Sequence, residues 1–306
     1  MRNAFVQEIT KIAQKNNKIV LLAGDIGYKL FDDFQKKYPD RFYNCGVAEA
    51  NMTTTASGLA LKGFVPITYT IATFNVYKTL EQIKIDICYP NLGVIIVGVG
   101  AGLSYAGLGA THHALEDISV LRSIPNLNIV SPADSFELRS LLKDVIKKKR
   151  PTYFRIGKKG EKTIYKSEPL AKVGKGNVIY DGKEICIIAT GNIIVNASEA
   201  VKNLRKRKIF AGLVSMHTIK PLDVSLLNRL FRKYRYLVIL EEHSSIGGLA
   251  SAISEYYTGK FNGNKFLKLN TGIEFILKSG NQKNAQENAN ISSSSIEKKI
   301  ISFLKK

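Results

Sequence analysis

The chain is poor in cysteine, has no long apolar run and carries too few acids to balance its bases. Each shortage closes off a class of protein. Its three cysteines, Cys45, Cys88 and Cys186, lie far apart, with no Cys-x-x-Cys pair. That argues against a disulfide framework and against a cysteine-based structural zinc site. All three sit in apolar surroundings, as small hydrophobes suited to a reducing compartment. No stretch reaches 18 consecutive apolar residues, and segments such as Gly93–Val99 have the length of buried strands. No membrane span is therefore expected. Met1–Thr10 is polar and mixed, unlike a basic stretch followed by an apolar one, so the expected location is cytoplasmic. There is no Gly-x-Ser-x-Gly elbow for a hydrolase nucleophile, and no Gly-x-Gly-x-x-Gly follows a strand to cradle a dinucleotide.

Acids number 25 against 45 lysines and arginines, a formal charge of +20. Nucleic acid is one reading of such a balance. The lysines, however, are scattered over polar helix faces and near helix C-termini, as in Lys147–Arg150 and Arg205–Lys208. There they complement the helix dipole. No basic run is interleaved with stacking aromatics. Phosphorylated metabolites or an acidic partner subunit explain the excess better, and plain surface bias accounts for part of it. Neither nucleic acid nor membrane is expected as a partner.

A chain of 306 residues with 45% hydrophobic content suits two globular domains. Short apolar runs at Ile19–Ala23, Phe64–Ile71, Gly93–Val99, Leu127–Ser131 and Tyr153–Ile156 alternate with helical patterns at Asn3–Lys15, Ala48–Lys62, Asn75–Tyr89 and Ser135–Lys149. A second set of strands is Glu184–Ala189, Phe210–Met216, Tyr236–Glu241 and Phe266–Leu269, with helices at Ile193–Arg207 and Gly247–Tyr257. Continuous apolar strands alternating with helices predict an α/β fold: two domains, each a mostly parallel sheet covered by helices. The expected division is 1–160, a linker at 161–182 rich in Lys and Gly, and 183–306. The Asn/Gln/Ser-rich stretch Asn281–Ser295 reads as a mobile loop, after which Ile296–Lys305 recovers helical spacing.

Three segments hold candidate chemistry. In the first, a strand-like Phe42–Val47 runs into a helix that places Glu49 in its first turn. Taken alone, such an acid does no more than offset the helix dipole. In the second, Gly107-Leu-Gly-Ala-Thr-His112-His113-Ala-Leu-Glu-Asp117 follows the strand Gly93–Val99 and a Gly-rich loop and opens a helix, at the strand end where open α/β sheets bind ligands. A histidine there acts as acid, base or donor, or else simply caps the helix. A metal site fits poorly, because adjacent histidines diverge and no third ligand is suitably spaced. In the third, Glu241-Glu-His-Ser-Ser-Ile-Gly247-Gly248 ends a strand in acids before a glycine pair opens a helix. There the plain reading is a helix start with a close backbone contact.

Together with Thr73-Phe74, Ile124-Pro125, Pro132-Ala-Asp134, Arg150-Pro-Thr-Tyr-Phe-Arg155 and Ser215-Met-His-Thr-Ile-Lys-Pro-Leu-Asp223, these segments resemble the pyrimidine-binding and C-terminal domains of transketolases, in order, over roughly Arg2 to Leu269. The resemblance implies thiamine diphosphate as cofactor. It makes Glu49 the carboxyl that hydrogen-bonds the aminopyrimidine ring and so promotes proton loss from the thiazolium carbon. It makes Phe74 and Tyr77 packing partners of that ring, Asp25 an acid near the cofactor, and His112 a group facing substrate oxygens. Arg2 and Arg155 become binders of a sugar phosphate. The familiar Gly-Asp-Gly-Pro-Thr-His reads Gly107-Leu108-Gly109-Ala110-Thr111-His112 here, which puts the donor sugar in doubt.

The family holds Mg²⁺ and the diphosphate through a Gly-Asp-Gly…Asn motif. Gly24-Asp25-Ile26 with Asn51 does not supply it. The resemblance thus implies a second chain, an N-terminal transketolase subunit carrying the pyrophosphate-binding domain and Mg²⁺, in a two-plus-two heterotetramer. It implies ketol transfer from a ketose phosphate to an aldose. The beta subunit of a 2-oxo acid dehydrogenase, a deoxyxylulose-phosphate-synthase-like enzyme and a non-catalytic assembly subunit stay open as alternatives.

Overall fold

The computed structural model describes residues 1–27, 29–158, 160–277 and 280–305. In the first half, α1 (Arg2–Lys15) leads to β1 (Ile19–Ala23), α2 (Asp32–Lys37), β2 (Phe42–Asn44), α3 (Glu49–Leu61) and β3 (Val65–Ile71). Then come α4 (Ala72–Tyr77), the single turn α5 (Leu80–Gln82), β4 (Ile95–Val99), α6 (Asp117–Arg122), β5 (Asn128–Val130), α7 (Ser135–Lys148) and β6 (Thr152–Ile156). The second half contributes β7 (Asn177–Tyr180), β8 (Ile185–Ala189), α8 (Ile194–Lys206), β9 (Gly212–Ser215), β10 (Thr218–Lys220), α9 (Val224–Lys233) and β11 (Tyr236–Leu240). It closes with α10 (Leu249–Tyr257), β12 (Lys265–Leu269), α11 (Gln282–Asn288) and α12 (Ser293–Leu304).

Among the described residues, β10-β5-β6-β4-β3-β1-β2 form one sheet and β12-β11-β8-β9-β7 the other. Pairing is parallel except at two edges, where β10 runs antiparallel to β5 and β7 antiparallel to β9. Strands β1, β3, β4 and β6 are buried along their whole length, as suits strands covered on both faces. Helix signals act where the sequence places them. Asp134 caps α7 by accepting from the Phe136 and Glu137 amides at 2.9 Å, and Lys147 and Lys148 occupy its last turn.

Four expectations need correction. The 161–182 stretch is not only a linker, because it contains β7. β10, from the second half, completes the first sheet, so the two halves share a sheet edge. The Asn75–Tyr89 pattern is not one helix: Thr79 interrupts it after α4, and a widened π-turn covers Ile83–Cys88. The polar Asn281–Ser295 stretch is ordered rather than mobile. Asn281 and Ser292 cap α11 and α12, and Ala285 and Ile291 are fully buried. Composition hid this because few apolar residues do the anchoring, while Gln286 is held by Asn196 and Glu242.

Burial pushes the His217 and His243 imidazoles down to about 4, outweighing the weaker pull of nearby Asp223 on the first and Asp117 on the second. Both are therefore neutral in the fold near pH 7. Their contribution to stability is complete above the unfolded value near 6.5 and is lost as pH falls from there through 4, by at most roughly 3 kcal/mol each. Urea unfolding between pH 7.5 and 4.5 is expected to show a falling midpoint. A His217→Gln variant, compared at each pH, should show a shallower fall.

Candidate active site

The site lies beyond the C-terminal ends of β1, β3, β4 and β6, where the loops diverge. After β2, Asn44 makes a local relay: its amide donates to Asp25 at 3.0 Å, and its oxygen accepts from the Gly46 amide at 2.9 Å. Gly46 has φ +66°, which lets the chain turn sharply into α3. Glu49 then sits in the first turn, 3% exposed. Its carboxylate meets the Lys78 ammonium at 3.2 Å, and the same ammonium lies 4.8 Å over the Phe74 ring. Phe74 stands edge-on to His112, 5.2 Å between centroids, and His112 in turn faces Tyr105 at 5.9 Å. Lys158 lies 4.6 Å over the Tyr105 ring. A continuous wall runs Glu49, Lys78, Phe74, His112, Tyr105, Lys158, with a cation near each end.

His112 is not at a helix start, since α6 begins at Asp117. It sits at the tip of the loop from β4, with Thr111 Oγ1 2.9 Å from its Nδ1. The Thr73 hydroxyl donates to the Thr111 carbonyl at 3.0 Å and ties the tip to α4. Partial burial and neighbouring His113 hold the His112 imidazole below its ordinary value, so it is neutral near pH 7. His113 is buried and turned to the Ala106 carbonyl, 3.1 Å from Nε2.

The other candidates are placed as follows. Asp25 is exposed, with φ +50°, at the end of β1. Tyr77 gives its hydroxyl to Glu116 at 2.9 Å, which leaves only its ring face for a ligand. Arg2 lines a groove between α1 and α2 together with Lys29, Asp33 and Lys37, and its Nε is buried without a hydrogen-bond partner. Arg2 and Tyr105 both act electrostatically on the buried Tyr69.

Arg155 must be corrected. It is 2% exposed, within β6. Its Nε donates to Asp117 at 2.7 Å, and its Nη2 donates to the carbonyls of Ala114 at 2.7 Å and Glu242 at 3.1 Å. Asp117, fully buried, also accepts from the Tyr153 hydroxyl at 2.7 Å. This guanidinium is a strut between the two halves, not an arm for a phosphate. The cation over Tyr105, the ring that faces His112, is Lys158, three residues on.

Sequence reasoning also missed Lys78, Tyr105 and Asp117. Asp117 closes the His112 segment and begins α6, a position where an acid reads simply as dipole compensation. Lys78 looked like one more surface lysine. The third motif behaves as its plain reading expects. Glu241 accepts from the Leu249 and Ala250 amides at 2.6 and 2.9 Å, and a Cβ on Gly248 would collide with it.

A two-sheet α/β protein with a buried acid, an aromatic face and a histidine loop at one sheet end defines a transketolase-type architecture, and the comparisons agree. Residues 1–160 match the family model "Transketolase, pyrimidine binding domain", and residues 174–296 match "Transketolase, C-terminal domain". The chain belongs to the transketolase family and corresponds to its C-terminal half. It is 36% identical over 256 residues to a subunit of the apulose-4-phosphate transketolase of Phocaeicola vulgatus, covering 83% of this chain and 82% of that one. It is 32% identical to "Putative transketolase C-terminal section" of Methanocaldococcus jannaschii, covering 100% and 96%. Against "1-deoxy-D-xylulose-5-phosphate synthase" of Desulfotalea psychrophila the identity is 30%, over 99% of this chain but 47% of that one. A solved "Split gene transketolase, inactive beta4 tetramer" superposes with a TM-score of 0.88 at 31% identity, covering 99% and 97%.

An Arg155→Met variant is expected to unfold at lower urea, by about 3–5 kcal/mol, because it strands the buried Asp117 charge. Unchanged stability, with a weakened affinity for a sugar phosphate, would restore the phosphate-binding role.

Proposed function

We propose that this chain is the C-terminal subunit of a two-chain, thiamine-diphosphate-dependent transketolase that moves a two-carbon ketol unit from a ketose phosphate to an aldose. The observation that carries this reading is the buried Glu49 carboxylate. A flexible lysine is its ionic partner, and the ring of Phe74 and the His112 loop stand close by. An aminopyrimidine suits that setting: a weakly basic ring nitrogen shares a proton with the carboxyl, and Lys78 moves aside. When bound, the cofactor supplies a carbon nucleophile for carbonyl carbon.

The chain's own residues then hold and orient. Glu49 grips the pyrimidine, Phe74 packs against it, and the outer ring face of Tyr77 borders it. Asp25, through Asn44, steadies the turn into Glu49. Neutral His112 exchanges hydrogen bonds and protons with substrate oxygens. Arg2 and Lys158 are the cations offered to a phosphorylated substrate, with Lys158 over the Tyr105 ring that faces His112. Leu108, 55% exposed, borders the loop where the transketolase pattern carries an acid, which favours a donor lacking the usual hydroxyl contact.

Mg²⁺ and the diphosphate would be held by a partner chain. Among the described residues, no cluster of three or more His, Cys, Asp or Glu side chains is arranged to hold a metal. Two relatives are named as subunits acting on unusual sugars, apulose 4-phosphate and 6-deoxy-6-sulfo-D-fructose. The tetrameric neighbour supports self-association. The outer face of α3 exposes the uncharged Asn51, Thr54, Thr55 and Gly58, with Thr54 donating to Asp86 at 2.8 Å. A two-plus-two heterotetramer joins both contacts. Among the described residues no helix is long and apolar enough to cross a membrane; the cytoplasm remains the expected location, and no nucleic acid is needed as a partner.

The test is ketol transfer by the complex of this chain with its partner, given thiamine diphosphate, Mg²⁺ and a panel of ketose phosphates. Glu49→Gln is expected to lower kcat by about 10²–10⁴-fold while the complex stays assembled. Full activity in that variant would support a non-catalytic assembly subunit. Turnover of pyruvate instead of ketose phosphates would support the 2-oxo acid dehydrogenase or synthase-like alternative, and its condensation with an aldose phosphate would select the synthase.

A further inference from the structure

We infer that Glu242, in the C-terminal domain, is a positioning residue that clamps the His112 loop, so that the second domain sets the geometry of the active site. The inference rests on the reading of His112 as a substrate-facing group.

The loop between β4 and α6 leaves and returns through one narrow neck. Gly102 and Ala114 pair across it, with the Ala114 amide donating to the Gly102 carbonyl at 3.0 Å. Everything from Leu103 to His113, including Tyr105 and His112, hangs from that neck. On the outgoing side, the Glu242 carboxylate packs against Gly102 so closely that a Cβ there would overlap it, and the Leu103 amide acts electrostatically on that carboxylate. Gly102 has φ +59°, so both its backbone conformation and its missing side chain are required. On the returning side, Arg155 bridges the Ala114 and Glu242 carbonyls, and the Ser244 amide donates to the Leu115 carbonyl at 2.7 Å. The segment after β11 thus holds both sides of the neck.

Glu242 is itself fixed from behind. The amide of Gln282 donates to both its oxygens at 3.2 Å, and that of Gln286 donates to one at 2.7 Å. Leu103, Ala106 and Leu115 of the loop form a small apolar cluster with Ala285 of α11. A carboxylate 2% exposed is costly to bury. Here its donors, Gln282 and Gln286, belong to α11, while it packs against Gly102 of the loop, so the cost goes into joining the two. Glu242 touches none of the proposed reacting groups; it acts through the loop backbone.

The test is amide hydrogen exchange on the full chain, with kinetics on the assembled complex. In Glu242→Ala, exchange at residues 102–115 should speed up by about tenfold or more, as expected when the carboxylate that ties the neck to α11 is removed, while α3 and β3 keep their protection. In the complex, kcat should fall about 10- to 100-fold with the affinity for thiamine diphosphate unchanged. Glu242→Gln, which keeps one acceptor oxygen, should recover part of both. Phe303→Ala, which unpacks the edge contact with Tyr236 in the second domain, should destabilise that domain without loosening the loop. If Glu242→Ala does not fold, Gln282→Ala/Gln286→Ala carries the same expectation. Unchanged loop exchange in the folded variants, or equal loosening by Phe303→Ala, overturns the clamp. Loosened exchange with no ketol transfer even in the unmodified complex sustains the clamp and overturns the functional reading instead.

Discussion

The Arg155–Asp117 pair, sealed from water where the two halves meet, is the constraint on which the rest depends. A charge pair with almost no exposure contributes little net stability, but removing one member leaves the other uncompensated. Its value is specificity of arrangement. Asp117 starts α6, Arg155 lies in β6, and the guanidinium reaches carbonyls on either side of the domain junction. The sheet, the histidine loop and the segment after β11 are thereby registered to one another. Tyr153 completes the group from the same strand, and His243 approaches from the second domain, its Nε2 4.0 Å from Asp117 Oδ1, beyond hydrogen-bond distance.

This junction explains why the second domain matters to a site whose chemistry belongs to the first. The wall from Glu49 to Lys158 is built on the first sheet, yet the loop that contributes its centre is anchored by Glu242, Ser244 and α11. The shared sheet edge at β10 works in the same direction. Moving the domains apart would cost the β10 pairing, the buried Arg155–Glu242 hydrogen bond and the contacts on the neck of the loop together. Binding sites made on rigid elements keep their geometry better than sites made on free loops, and here a loop is given rigidity from outside its own domain.

Much of the fold was legible because buried parallel strands must be apolar throughout: Ile19–Ala23 was recovered to the residue. The antiparallel edges β7 and β10 were not, since short edge strands carry mixed residues, as in Asn-Val-Ile-Tyr and Thr-Ile-Lys. The α11 segment was misread because Asn, Gln and Ser count as disorder by composition, although Gln282 and Gln286 are paired in three dimensions. In the site, Glu49, Phe74 and His112 came from motif order. Lys78 and Lys158 did not, because a lysine in a chain with this excess of base has no distinguishing pattern. Arg155 was assigned to a ligand because an arginine at the end of a motif reads the same whether it faces a phosphate or a buried aspartate. Only burial separates the two.

The most direct test of the central claim, that this chain holds the pyrimidine end of the cofactor while another chain holds the diphosphate end, is to purify the tagged chain gently from its own host and identify what accompanies it. The expected result is a stoichiometric partner carrying a Gly-Asp-Gly…Asn motif, in a two-plus-two assembly. A chain that emerges alone, even with Mg²⁺ and thiamine diphosphate present, would contradict it.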